Sequence, residues 1–315
     1  MAENPRLDAV ILGRIGYDLY SEEPHQPLSK VRRFSRYLGG SSANIAVGLA
    51  RLGARVGMVS CLGNDSLSEY LIDFLKSEKV DTSHVQIAPG YLPSLAFTEV
   101  SPPDRFPQVF YRKDPVDIHL DATSTDLDYV AGARMFVTNG TALCASPSRE
   151  STHRALERAK AAGVRTVLDA DYRAMSWSSP QEAGKAIEEV LPFVDVLIGN
   201  ELEMSLLSDA CTAKVPMLVS KLGDAGTRVR ASGELIFLAP YKVEVISTIG
   251  AGDGFAAGFL YAMLQGLPVK DCLHYGNAAA AIVVSRLSCS EAMPTLEELR
   301  SALSTQHSAL AKDRQ

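Results

Sequence analysis

The chain has 315 residues, 46% hydrophobic and 22% charged, the balance of an ordinary globular protein with length for one large domain or two modest ones. Its formal net charge of −6 argues against a nucleic-acid backbone as partner and points to small molecules. Five cysteines (Cys61, Cys144, Cys211, Cys272 and Cys289) form no C-x-x-C pair, so neither a disulfide framework nor a zinc site is expected, and a reducing, cytoplasmic setting is.

The opening "MAENPRLDAVILG" carries no basic n-region or cleavage site. Nothing approaches the roughly 18 uninterrupted apolar residues of a membrane span, so neither a leader nor a membrane partner is expected. "DAVILG" (8–13) then reads as a buried strand, and "SANIAVGLARLG" (42–53) as a helix with Ile45, Leu49 and Leu52 on one face and Gly53 just past its end. Further apolar runs follow at 55–63, 133–140, 165–171, 195–200 and 216–223, with a second helix over 148–163. Strands without polar alternation, separated by helices, indicate an α/β domain with a parallel sheet covered on both faces. Its ligands belong outside the carboxyl ends of the strands.

Two segments break that rhythm. Residues 14–38 and 91–113 are rich in aromatics and proline, alternate like strands, and are too long for simple connections, which predicts a projecting flap. Its apolar strands suit pairing between subunits, so a homodimer through the flap is expected.

The last strand, "YKVEVIS" (241–247), leads into "STIGAGDGFAAGF" (247–259), where three glycines surround one carboxylate, Asp253. A glycine-rich turn at a helix start leaves N–H groups unpaired at the positive end of the dipole, an anion nest suited to phosphate. An acid inside such a nest repels phosphate unless it has a task of its own. Asp253 suits a base taking a proton from a hydroxyl while the amides of Gly250, Ala251 and Gly252 hold the transferring phosphoryl group. The alternative is an N-cap aspartate beside a tight turn.

"GAGDGFAAGFL" (250–260) resembles the C-terminal signature of the ribokinase-like (PfkB) carbohydrate kinases, and "GGSSANIAVGLARLG" (39–53) their N-terminal signature. The resemblance implies a ribokinase-like three-layer α/β/α sandwich over residues 1–310, with a small β-sheet lid inserted as 14–38 and 91–113. It implies phosphorylation of a sugar hydroxyl by ATP with Mg²⁺, Asp253 as base and residues 250–252 as anion hole. Asp18, Gly39, Gly40 and Asn44 match sugar-binding positions. Asn200 and Glu203 of "GNELE" match the N-x-x-E motif that orders Mg²⁺ through water, an arrangement suited to a hard, hydrated cation. Lys221, Gly223 and Gly226 of "SKLGDAG" fall on the nucleotide side, and Asn277 where the family contacts the nucleotide edge. Many members read D-T-T-G-A-G-D where this chain has Ser247-Thr248-Ile249-Gly250, so no activating potassium ion is implied.

"DRFPQVFYR" (104–112) puts Arg105, Phe106 and Arg112 in the second lid segment, and "DADYRAMSW" (169–177) puts Arg173 after a strand. Arginine suits bidentate recognition of a carboxylate, which favours an acidic sugar. Arg173 also suits phosphate, as in the family's D-x-N-x-R motif, although Asp171 stands here in place of that asparagine. The combination is most similar to those members that phosphorylate 5-dehydro-2-deoxygluconate in myo-inositol breakdown. Members acting on 2-keto-3-deoxygluconate come next, fructokinases and ribokinases further off, and a sugar-binding protein without turnover is the alternative of another class.

Overall fold

Apolar runs that lack alternation must be covered on both faces, and the chain achieves this by winding helices over a central sheet. The computed structural model describes residues 6–102 and 105–312, with side chains through Thr305, so Asp104 of the lid motif lies outside the described residues. Strands β1 (Ala9–Leu12), β2 (Gly16–Ser21) and β3 (Phe34–Gly39) lead into α1 (Ser41–Arg51). Then come β4 (Val56–Leu62), α2 (Ser66–Ser77), β5 (Asp81–Ile87), β6 (Leu95–Thr98), β7 (Gln108–Tyr111) and α3 (Ser124–Ala131). The middle of the chain forms β8 (Met135–Asn139), α4 (Ser148–Ala161), β9 (Arg165–Asp169), α5 (Pro180–Val190) and β10 (Val196–Asn200). It continues through α6 (Glu201–Ser205), α7 (Asp209–Thr212), β11 (Met217–Lys221), β12 (Thr227–Ala231) and β13 (Glu234–Leu238). Helices α8 (Ala251–Leu264), α9 (Val269–Val284) and α10 (Leu296–Lys312) close it.

Nine strands make one sheet in the order β13-β12-β11-β10-β9-β8-β1-β4-β5, and four make a second in the order β3-β2-β6-β7. The large sheet is parallel from β5 to β11, and β12 and β13 add an antiparallel edge. It is therefore mixed, where the apolar runs alone predict a parallel sheet. The small sheet is drawn from within the two irregular segments: β2 and β3 from the first, β6 and β7 from the second.

The "YKVEVIS" stretch forms no strand. The amides of Ile246 and Ser247 instead both donate to the Val284 carbonyl, fastening an extended segment to the end of α9. No helix among the described residues is long and apolar enough to cross a membrane.

Parallel register aligns the strand ends. Asn139 of β8 pairs with Asp169 of β9, and Asn200 of β10 pairs with Lys221 of β11. The carboxyl edge of the sheet thus carries a row of polar side chains, while the core beneath it is mostly apolar, with Ser60 and Thr166 among its few buried polar residues.

Candidate active site

Helix α8 starts from Gly250, whose φ of 84° is left-handed and whose position leaves no room for a side chain: a Cβ there would stand 2.9 Å from Cys289 Sγ. No side chain caps this helix; the Ala251 amide makes a long bond to the Thr248 carbonyl at 3.4 Å, which leaves the first turn with the weakly held N–H groups that suit an anion. The Asp253 carboxylate does not turn back to cap them. It reaches across to the start of α1, where Ser41 Oγ donates to Oδ1 at 2.8 Å and Asn44 Nδ2 donates to Oδ2 at 2.7 Å. Two helix N-termini thus meet at one acid, and both dipoles favour its negative charge.

The groups around Asp253 are buried, and one of their polar atoms is left without a partner. Asn44 Oδ1 is buried with no hydrogen-bond partner, an acceptor without a donor. Asp18, on β2, lies opposite Gly39, where a Cβ would fall 2.2 Å from its carboxylate. Gly40 forms the N-cap of α1 at φ 91°. Burial pushes Asp18 up to about 6, with Arg14 pulling against the shift and Asp253 adding to it.

Lys221 ends β11 beside the nest, its Nζ 3.3 Å from where a Gly252 Cβ would be. It donates to Asp169 Oδ2 at 3.0 Å. Burial pulls Lys221 down, but Asp169, Glu203 and nearby Asp253 more than offset it and hold it protonated. Burial also pushes Asp169 upward, against Lys221 and with help from Glu203 and Asp171. Gly223 and Gly226 form the turn after Lys221.

Asn200 and Glu203 make a capping box at the start of α6: the Glu203 amide donates to Asn200 Oδ1 at 2.9 Å, and the Asn200 amide donates to Glu203 Oε2 at 2.7 Å. Glu203 Oε1 also accepts from the Tyr172 amide at 3.1 Å. Among the described residues no three His, Cys, Asp or Glu side chains stand close enough to hold a bare ion. The crowding of Glu203, Asp169 and Asp171 nevertheless fits a cation that keeps its water.

The remaining residues expected from the sequence are divided. Arg173 is half-exposed on the cleft and pairs with Asp171 at 3.0 Å. Arg112 is buried, both its Nη atoms donating to Asp117 at 2.7 and 2.6 Å, so its fork is already filled by a carboxylate of the chain itself. Phe106 packs on the small cluster of Tyr20, Val100 and Cys289. Arg105 is not brought to the cleft: it lies on the outer hairpin, 72% exposed, 3.8 Å from Glu99. Asn277 is buried with both ends of its amide engaged, donating to the Ala239 carbonyl and accepting from Thr227 Oγ1.

Ser41, Asp169 and Arg14 stand beside Asp253, Lys221 and Asp18 respectively, and no motif in the sequence assigns them a role. Arg14 had a signal, as the single charge within "AVILGRIGY". Ser41 had none, because a serine at a helix start is an ordinary sight.

A helix-covered sheet with a four-stranded lid, and an acid set in an anion nest at its carboxyl edge, define a phosphotransferase of the ribokinase-like fold. The comparisons agree. A putative ribokinase II from E. coli superposes with a TM-score of 0.87 at 24% identity, covering 95% of this chain and 99% of that one. A 2-dehydro-3-deoxygluconokinase from Thermotoga maritima does so at 0.84 and 23%, with the same coverage. The 5-dehydro-2-deoxygluconokinase of Shouchella clausii is 36% identical over 97% of this chain and 98% of its own. Residues 6–296 match the pfkB family carbohydrate kinases, and the chain belongs to that family.

Proposed function

We propose that this kinase transfers the γ-phosphoryl group of ATP to a hydroxyl of an acidic open-chain sugar, 5-dehydro-2-deoxy-D-gluconate, giving its 6-phosphate. The observation that carries the reading is the carboxylate of Asp253, aimed out of its own helix and fixed by Ser41 and Asn44 beside an uncapped helix start. Asp253 takes the proton of the acceptor hydroxyl, and the amides of Gly250, Ala251 and Gly252 receive the phosphoryl oxygens in transfer. Asp18 and the free Oδ1 of Asn44 accept from sugar hydroxyls, while Gly39 and Gly40 let the sugar lie against the backbone. Arg173 addresses the anionic end of the sugar, with Arg112 and Phe106 holding the lid side.

On the other side of the base, Lys221 and the turn at Gly223 and Gly226 receive the nucleotide phosphates, and Asn277 shapes the wall of the nucleotide site from α9. Mg²⁺ would be ordered through water by Asn200 and Glu203, and supplies charge neutralisation of the phosphates when bound. The substrate reading is supported by the curated relative named for it and by the arginines at the sugar end of the cleft. It places the enzyme in myo-inositol breakdown in the cytoplasm. The exposed Val109 and Tyr111 of the lid's outer strand β7 favour a homodimer through that edge.

The test is kcat/KM with Mg-ATP over 5-dehydro-2-deoxygluconate, 2-keto-3-deoxygluconate, fructose and ribose. Preference for the first carries the proposal. Preference for 2-keto-3-deoxygluconate moves the substrate, preference for a neutral sugar removes the acidic reading, and binding without ADP release makes the protein a sugar sensor.

A further inference from the structure

Arg14 follows β1 and leads into the lid, and it is buried, 6% exposed. Its Nε is buried with no hydrogen-bond partner. Three arginines and three aspartates lie within electrostatic reach of one another, and two of the possible pairs are made: Asp117 is held by Arg112, and Asp171 by Arg173. Arg14 and Asp18 are left over. Arg14 is close enough to pull the Asp18 carboxyl down against its burial, yet among the described residues the two form no ion pair.

That is a costly arrangement for an empty cleft. A guanidinium buried without a direct ion pair has lost hydration at Nε, and the more distant charges of Asp171 and Asp117 do not make up the loss. Burial accordingly pulls Arg14 below the ordinary arginine range, with Arg112 adding to the shift and Asp171 and Asp117 opposing it. The gap between an unpaired cation and an unpaired anion suits a molecule carrying both an anion and hydroxyl groups.

We infer that Arg14 is the specificity-determining residue of this kinase, its guanidinium receiving the substrate carboxylate while Asp18 receives a substrate hydroxyl. The inference rests on the acidic-sugar reading and deepens it. It assigns the carboxylate to β1 rather than to the lid, because the fork of Arg112 is filled and Arg105 stands outside. The planar, five-donor head of arginine matches a carboxylate with two parallel bonds, and a lysine in its place offers a point charge alone.

The experiment compares wild type with Arg14→Gln and Arg14→Lys. It reads kcat/KM on 5-dehydro-2-deoxygluconate and on fructose, ATP affinity, and the Tm of the unliganded proteins. Arg14→Gln is expected to lose roughly ten- to a hundred-fold in kcat/KM on the acid, chiefly through KM, the scale of one charge-assisted interaction. Fructose turnover and ATP affinity stay within about two-fold, and Arg14→Lys recovers part of the loss. Tm is unchanged or raised, since an unpaired buried charge is removed. A fall in Tm accompanied by equal losses on both sugars makes Arg14 a structural residue and overturns the inference. Unchanged kinetics on the acid overturns it too and leaves the acidic-sugar reading standing. A wild-type enzyme that phosphorylates neutral sugars and no acid brings down the reading itself, and the inference with it.

Discussion

Asn44 Nδ2 donates to Asp253 Oδ2 at 2.7 Å, joining the fourth residue of α1 to the third of α8, although 209 positions of chain separate them. The bond holds the acid in the cleft instead of over its own helix start, where an aspartate would otherwise cap the free amides. Its consequence is a carboxylate positioned next to the anion nest rather than neutralised by it.

If Asp253 is the base, Asp253→Asn keeps the hydrogen-bonding shape and removes the proton acceptor. Its kcat should fall by roughly 10²–10⁴, with ATP and sugar affinities retained. Steady-state kinetics together with equilibrium binding check this. A variant with near wild-type kcat would sink the assignment.

Ser41→Ala removes one of the two donors that fix the carboxylate. A hydrogen bond to a charged group contributes about 1.5–3 kcal/mol, so kcat should drop by about ten-fold or more. KM for the sugar moves less, because Ser41 acts through Asp253. Ser41→Thr, which keeps the hydroxyl, should restore most of the rate, and failure to do so would argue for packing.

Glu203 has two demands on it. Glu203→Gln should raise the free Mg²⁺ needed for half-maximal rate while leaving sugar affinity unchanged, if Glu203 orders the hydrated cation. The same change weakens the capping box, so Tm should fall by an amount reflecting about 1 kcal/mol. Titration of activity against free Mg²⁺ at fixed ATP separates the two. An unshifted curve with a lowered Tm would leave Glu203 as a cap.

Asp18 has a folded pKa raised to about 6 by burial, from an ordinary 3.8. Between those values the folded state binds more protons than the unfolded one, so this group's contribution to stability is present at low pH and is lost as pH rises through about 6. The shift of about 2 units is equivalent to roughly 3 kcal/mol as an upper bound. Asp18→Asn should therefore raise stability near pH 7 and flatten that part of the pH profile, read by urea unfolding. Sugar binding runs the other way, because the acceptor must be ionised: sugar affinity measured without ATP should weaken below about pH 6 in wild type. A wild-type profile flat from pH 5 to 7 would count against Asp18.

Arg112 and Arg105, both in the second lid segment, should behave differently. Arg112→Ala leaves Asp117 as a buried carboxylate without its partner, which costs about 3–5 kcal/mol. Its Tm and its activity on every sugar should fall together. Arg105→Ala removes an exposed side chain with a distant partner and should change neither stability nor kinetics by more than about two-fold, in keeping with the small worth of surface pairs. Selective loss of the acidic substrate in either variant would restore the lid as the carboxylate site.

Much of this protein is legible in local sequence, because some chemistry is local. A glycine-flanked acid before an apolar helix specifies a left-handed helix start at Gly250 with no side-chain cap, whatever packs nearby. The apolar runs specify buried strands, and Gly53 and Gly163 mark helix ends where φ is 96° and 70°. The edge hairpin was also within reach: Ser232-Gly233, both at positive φ, joins two alternating segments. "YKVEVIS" shows the limit, since alternation describes an extended backbone and a strand also needs a neighbour to pair with. The site's charges lie beyond that limit altogether. Whether an arginine is free or taken depends on which carboxylate the fold brings within 4 Å, and Arg112 found Asp117 while Arg14 found none. Likewise, nothing near Asp253 in the chain indicates that Ser41 and Asn44 will hold it. Long-range pairing among buried charges is a property of the packed sheet and its helix ends, so the tertiary structure alone decided it.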